Sequence, residues 1–97
     1  MNSRQRAYLK SLASGMDPII NIGKSGLTPE VTEAVSEVLE ARELVKVGVL
    51  QNCEDKASVI AGPLAERTRS QLVQVIGSKI VLYRESKTKK NKLMLPK

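Results

Sequence analysis

The chain contains no histidine, no tryptophan and no phenylalanine, and it has a single cysteine and two tyrosines among 97 residues. Each of these shortages removes a class of function. Without histidine there is no Ser-His-Asp or Cys-His catalytic set, and the commonest general base and metal ligand are both missing. With Cys53 alone, neither a disulfide framework nor a multi-cysteine zinc site can be built. Two aromatic side chains, Tyr8 and Tyr83, are too few for a sheet that stacks several bases. No apolar run approaches the ~20 residues of a membrane-spanning helix. The opening Met1-Asn2-Ser3-Arg4-Gln5-Arg6 leads into an amphipathic segment and lacks the apolar stretch of a signal peptide. The expectation is a cytoplasmic, non-enzymatic protein without a cofactor or metal.

What the chain has in quantity is positive charge, and the charge sits at the ends. Its 16 basic and 10 acidic residues give a net charge of +6. Residues 1–12 contribute Arg4, Arg6 and Lys10 with no acid. Residues 86–97 contribute Lys87, Lys89, Lys90, Lys92 and Lys97, again with no acid. The span between them holds eight basic and ten acidic residues, so a nearly neutral middle is flanked by basic termini. That distribution suits a polyanionic partner, although a solvated surface with a lysine-rich tail would look the same. The hydrophobic share of 41% is that of a folded domain. Residues 1–85 read as that domain and 86–97 as a flexible basic tail.

The elements follow from periodicity and punctuation. Residues 3–15 read as a helix with Tyr8, Leu9, Leu12 and Ala13 on its apolar stripe, Arg4, Arg6 and Lys10 largely turned away, and Gly15 as the stop. Ile19–Ile22 is a short β-run. Thr28 is a good N-cap and Pro29 fits the first position of a second helix, whose stripe is Val31, Val35, Val38 and Leu39. Residues 44–50 alternate as a strand. A third helix spans roughly 54–70, and Gly62-Pro63 inside it predicts a kink or break, or a proline placed where its lost hydrogen bond matters little. Residues 72–76 and 80–84 are strands joined at Gly77-Ser78 by a tight hairpin. The order α-β-α-β-α-β-β describes a single-domain α/β sandwich with three helices and a four-stranded mixed sheet. Its strand–helix–strand units call for parallel pairs, and the last hairpin for an antiparallel one.

Gly23-Lys24-Ser25-Gly26 is the segment with chemistry in it. Two glycines three apart let the backbone turn sharply and approach a ligand closely. A lysine between them adds charge, and the following helix N-terminus offers free N–H groups and a favourable dipole. A loop of this kind can clamp nucleic-acid backbone, or it can be a bare strand-to-helix turn. It is not a nucleotide loop, because it lacks the glycine spacing and Lys-Ser/Thr pair of a Walker A sequence and the third glycine of a dinucleotide fingerprint.

Four segments in order give the chain a family likeness: Arg4-Gln5-Arg6-Ala7-Tyr8-Leu9, Ile22-Gly23-Lys24-Ser25-Gly26-Leu27-Thr28, Glu43-Leu44-Val45-Lys46-Val47, and Leu72-Val73-Gln74-Val75-Ile76-Gly77 followed by Val81-Leu82-Tyr83-Arg84. Over roughly residues 3–84 the chain resembles the YhbY family, the stand-alone bacterial form of the CRM (chloroplast RNA splicing and ribosome maturation) domain. The resemblance implies a fold similar to the C-terminal domain of translation initiation factor three. It also implies binding of ribosomal RNA in precursors of the large ribosomal subunit. The family's loop falls on Gly23, Lys24, Ser25 and Gly26, its basic first helix on Arg4, Arg6 and Lys10, and its Leu-Tyr-Arg ending on Leu82, Tyr83 and Arg84. Gly62-Pro63 departs from the expected helix-forming stretch.

Lys24 is the first choice for a phosphate contact, and Arg4, Arg6 and Lys10 for a phosphate-tracking face. Arg84 either touches RNA or pairs with an acid at the sheet edge. Lys46 could reach RNA if its sheet face is open. Tyr8 reads as core, and Cys53 as structural. A monomer is expected, since nothing demands pairing of copies. The alternatives are a DNA-binding architectural protein and a protein-interaction module. The first would prefer duplex DNA, and the second would bind independently of salt.

Overall fold

The computed structural model describes residues 1–89 and 91–97; Lys90, one of the five lysines of the C-terminal segment, lies outside the described residues. The elements are α1 (Ser3–Ser14), β1 (Ile20–Ile22), α2 (Pro29–Arg42), β2 (Leu44–Val49), α3 (Ala57–Arg67), β3 (Gln71–Ile76) and β4 (Lys79–Tyr83). They match the expected order and form one four-stranded sheet, β1-β2-β4-β3.

The first two helices begin at side-chain caps. Asn2 caps α1 in a capping box: its Oδ1 accepts the Gln5 N–H at 2.8 Å, and the Gln5 Oε1 accepts the Asn2 N–H at 3.1 Å. Thr28 caps α2 through its Oγ1, which accepts the Val31 N–H at 3.1 Å, with Pro29 in the first helical turn. α3 starts later than expected, because residues 51–55 form turns instead. One of them closes from the Cys53 N–H to the Leu50 carbonyl at 3.0 Å. Helix α3 runs through Gly62-Pro63 without interruption. There is no break, and both residues are on the exposed side, so the proline's missing bond faces solvent. At its C-terminus Arg69 takes a left-handed φ of 55°, and the Ser70 N–H reaches back to the Ala65 carbonyl at 2.9 Å.

The sheet corrects one topological expectation. Only β1 and β2 are adjacent and parallel. The second strand–helix–strand unit leaves a gap between β2 and β3, and β4 inserts into it antiparallel to both. The result is a split βαβ arrangement. The Gly77-Ser78 turn, with Gly77 at φ 56°, returns β4 into that gap. The Val49 N–H fixes the turn by donating to the Ser78 carbonyl at 2.7 Å.

Alternation along the strands makes two cores. Val45, Val47, Val49, Ile80 and Leu82 point to the α2/α3 side and pack with Val35, Leu39, Ile60 and Leu64. Leu44, Val81 and Tyr83 point the other way and pack under Leu9 and Ala13 of α1. The sheet is thus covered on both faces. The face of α1 that does this is Arg6, Leu9 and Ala13, spaced three and four apart. Tyr8 and Leu12 are each 37% exposed, so the stripe predicted from them is rotated by about one residue.

Candidate nucleic-acid interface

The loop after β1 begins where the strand's last carbonyl, of Ile22, accepts the Leu50 N–H at 2.9 Å. The chain then turns over Lys24 and Ser25, closed by the Gly26 N–H donating to the Gly23 carbonyl at 2.9 Å. Gly26 sits at φ 70°, a left-handed conformation that a side chain would strain. Lys24 and Ser25 form the exposed apex, and their amides have no intramolecular acceptor among the described residues. The second glycine is therefore required by backbone geometry, and the two residues it exposes offer free N–H groups one turn before the start of α2.

Opposite this turn stands α3, and between them lies a groove of about 360 Å³. Arg67, in the last turn of α3, lines the groove with Lys24 and also lines the adjoining depression against Thr32 and Ser36 of α2. Sequence reading missed Arg67, since only the packing of α3 on the sheet brings it to the loop. Its one signal was a basic residue in a helical last turn. Glu54 and Asp55, ahead of α3, line the same groove.

The other predicted cations go elsewhere. Arg4 and Lys10 are exposed on α1, across the sheet from α2 and α3. Lys10 shares a separate groove of about 260 Å³ with Lys46 and Gln74. Lys46 is only half exposed, because its Nζ donates to the Met16 carbonyl at 2.9 Å as α1 closes that face.

Arg6 is turned inward. Its Nη1 donates to the carbonyls of Leu72 at 2.6 Å and Val73 at 2.9 Å, where the register of β3 slips between Leu72 and Gln74. A bulge leaves carbonyls without ladder partners, and the guanidinium supplies them. Arg84 likewise takes the internal role of its two. It donates to the Ser36 carbonyl at 2.8 Å, the Ser36 hydroxyl at 3.0 Å and the Thr68 carbonyl at 2.7 Å, and lies 3.6 Å from Glu40. Both side chains spend their donors on the fold, and neither adds to the cations around the loop.

The C-terminal segment, read from composition as loose, is fastened by two carboxylates. Glu43 is fully buried and holds a left-handed φ of 68° at the end of α2. It accepts the N–H groups of Ser86 and Leu93, each at 2.7 Å. The Glu40 Oε2 accepts the Ser86 hydroxyl at 2.6 Å, the Lys87 and Thr88 amides at 2.8 and 3.0 Å, and the Thr88 hydroxyl at 3.0 Å. These donors, the Ser86 hydroxyl foremost and then the Thr88 hydroxyl, hold the Glu40 carboxyl down at about 2 from its ordinary 4.5. Leu93 and Leu95 pack on the α1-side core. Tyr83 beneath them is buried, which pushes its phenol above 10.0, with the charges of Glu43 and Glu85 adding to the effect. It is no stacking platform. Cys53 is a half-buried free thiol.

Among the described residues no helix is long and apolar enough to cross a membrane, and no cluster of three metal-ligating side chains occurs. The chain is 47% identical over 90 residues to "Probable RNA-binding protein YqeI" of Bacillus subtilis (strain 168), covering 93% of this chain and 94% of that one. It is 32% identical over 97 residues to an "RNA-binding protein" of Haemophilus influenzae, covering 100% and 96% of the two chains. Its fold superposes on the solution structure of the hypothetical protein SAV1595 from Staphylococcus aureus with a TM-score of 0.82 at 49% identity, over 99% of both chains. Residues 1–84 match the family model of the CRS1/YhbY (CRM) domain, and the chain belongs to that family.

Proposed function

We propose that the protein binds RNA without catalysing a reaction on it, and that its target is structured ribosomal RNA in precursors of the large ribosomal subunit. The names of its relatives support RNA as the ligand. The observation that carries the reading is the Gly23–Gly26 turn, whose free amides and Lys24 stand at the head of α2 with Arg67 across the groove. Such a turn recognises the phosphate backbone, which every sequence shares, so affinity comes from charge and shape. Residues 1–85 are the binding unit. The lysines of 86–97 and the Arg4/Lys10 side of α1 add further contacts with the polyanion, and the site of action is the cytoplasm.

The test is competition. A labelled large-subunit ribosomal RNA fragment is bound to the protein and displaced by unlabelled structured RNA or by duplex DNA of equal length, at two salt concentrations. The RNA should displace at lower concentration, and affinity should fall steeply with salt. Preference for DNA would transfer the reading to an architectural DNA-binding protein, and salt-independent binding would point to a protein partner. Co-sedimentation with subunit precursors, compared with mature subunits, tests the assembly role directly.

A further inference from the structure

The groove beside the loop combines charges that a plain phosphate clamp would keep apart. Lys24 and Arg67 line it, and so do Glu54 and Asp55. All four are exposed, and none forms an ion pair among the described residues. Carboxylates facing a phosphate weaken its binding, because like charges brought together across an interface repel. They become useful when the ligand also brings hydrogen-bond donors. The groove also exposes two apolar side chains. Val59 is 57% exposed there, and Pro63, four residues on along the same helix face, is exposed beside it. Anion, flat apolar face and polar donor edge are the three parts of one nucleotide.

From this match we infer that the groove seats a single unstacked nucleotide of a bound RNA. Its phosphate lies on the amides of the loop apex between Lys24 and Arg67. Its base rests on Val59 and Pro63, and the base edge donates to Glu54 or Asp55. This rests on the RNA-binding reading and deepens it, because it gives the loop a base preference. Splayed bases read on their edges are the usual route to specificity in single-stranded RNA. A carboxylate accepts best from guanine, whose N1–H and N2–H lie side by side and match its two oxygens. Adenine and cytosine offer one amine next to an acceptor nitrogen. Uracil offers N3–H between two carbonyl oxygens that repel a carboxylate. Guanine should rank first and uracil last.

Uridine octamers carrying a central guanosine, adenosine, cytidine or uridine are titrated by fluorescence anisotropy, with magnesium and with chelator. The central guanosine should bind about tenfold tighter than uridine, the low end of what a good bidentate base contact provides. Glu54→Gln with Asp55→Asn should collapse that ratio, and Val59→Asp should weaken all four octamers while thermal melts show a folded protein. No measurable binding of any octamer, no base preference, or a preference that survives the double substitution overturns the inference. So does a preference lost with chelator alone, which would assign the carboxylates to a bridging cation. A Lys24→Asp variant titrated with structured RNA separates the two levels. If it loses binding while the wild type shows no base preference, the RNA-binding reading stands and the nucleotide seat falls. If it binds as wild type does, the loop is no RNA clamp, and the nucleotide seat falls with it while RNA binding is carried elsewhere.

Discussion

At the scale of single residues, the same side-chain type serves opposite ends. Arg6 and Lys24 are both cations in segments that mark the family likeness, yet Arg6 satisfies two bulge carbonyls and Lys24 has no ion-pair partner among the described residues. A side chain's charge is visible in sequence, but whether the fold consumes its donors is not. Arg6 was misplaced because Tyr8 and Leu12 drew the stripe toward their side of Leu9 and Ala13; the buried side continues to Arg6, which required a charged residue on that face. Hydrogen bonds to a charged group contribute about 1.5–3 kcal/mol. Arg6→Ala should therefore destabilise by about 2 kcal/mol, which lowers the thermal midpoint by roughly 8–16 °C in a domain of this size. Below its melting transition the variant should keep its RNA affinity. A calorimetric scan and a titration at low temperature check the two halves, and a stable variant with lost binding would return Arg6 to the interface.

At the scale of elements, the Thr28-Pro29 cap, the hairpin and the Gly23–Gly26 turn were legible because each depends on a few adjacent residues. Thr28-Pro29 and Gly77-Ser78 sit where their local chemistry requires. The insertion of β4 between β2 and β3 was not legible, since both strands of the hairpin look alike until the crossover leaves a gap for one of them. The fastening of residues 86–93 was hidden for a related reason. A Lys- and Ser-rich stretch looks solvated, and its order comes from Glu40 and Glu43, far back in the chain. Glu40 makes this fastening dependent on pH. Its folded value of about 2 lies below the ordinary 4.5, so its stabilising contribution is complete above about 4.5 and is lost as pH falls toward 2. The amide resonances of Lys87 and Thr88 should then titrate with a midpoint near 2. A midpoint near the ordinary carboxylate value would mean that the segment is not held by Glu40. Glu40→Ala should release the same amides to exchange at neutral pH.

At the scale of the whole molecule, the sheet sorts the positive charge. Charge counting placed the excess of cations at the chain ends. The fold puts Arg4 and Lys10 on the α1 side, and Lys24 with Arg67 at the groove by α3. Lys10 lines one groove, and Lys24 and Arg67 line another. The family, the element order and the loop could be read along the chain, but this division is a product of the sandwich. It makes the account unequal in its demands: reversing charge at the loop should damage binding far more than removing an α1 cation.

The most direct test titrates a structured large-subunit ribosomal RNA fragment with wild type, with Lys24→Asp/Ser25→Asp, and with Lys10→Ala, after circular dichroism melts have shown all three folded. The account predicts that the loop variant loses most of its affinity and that its salt dependence becomes shallower by about one phosphate contact, while Lys10→Ala loses only a small part. A folded loop variant that binds as tightly as wild type, with the same dependence on salt, would contradict it and leave the Gly23–Gly26 turn as a connection between β1 and α2.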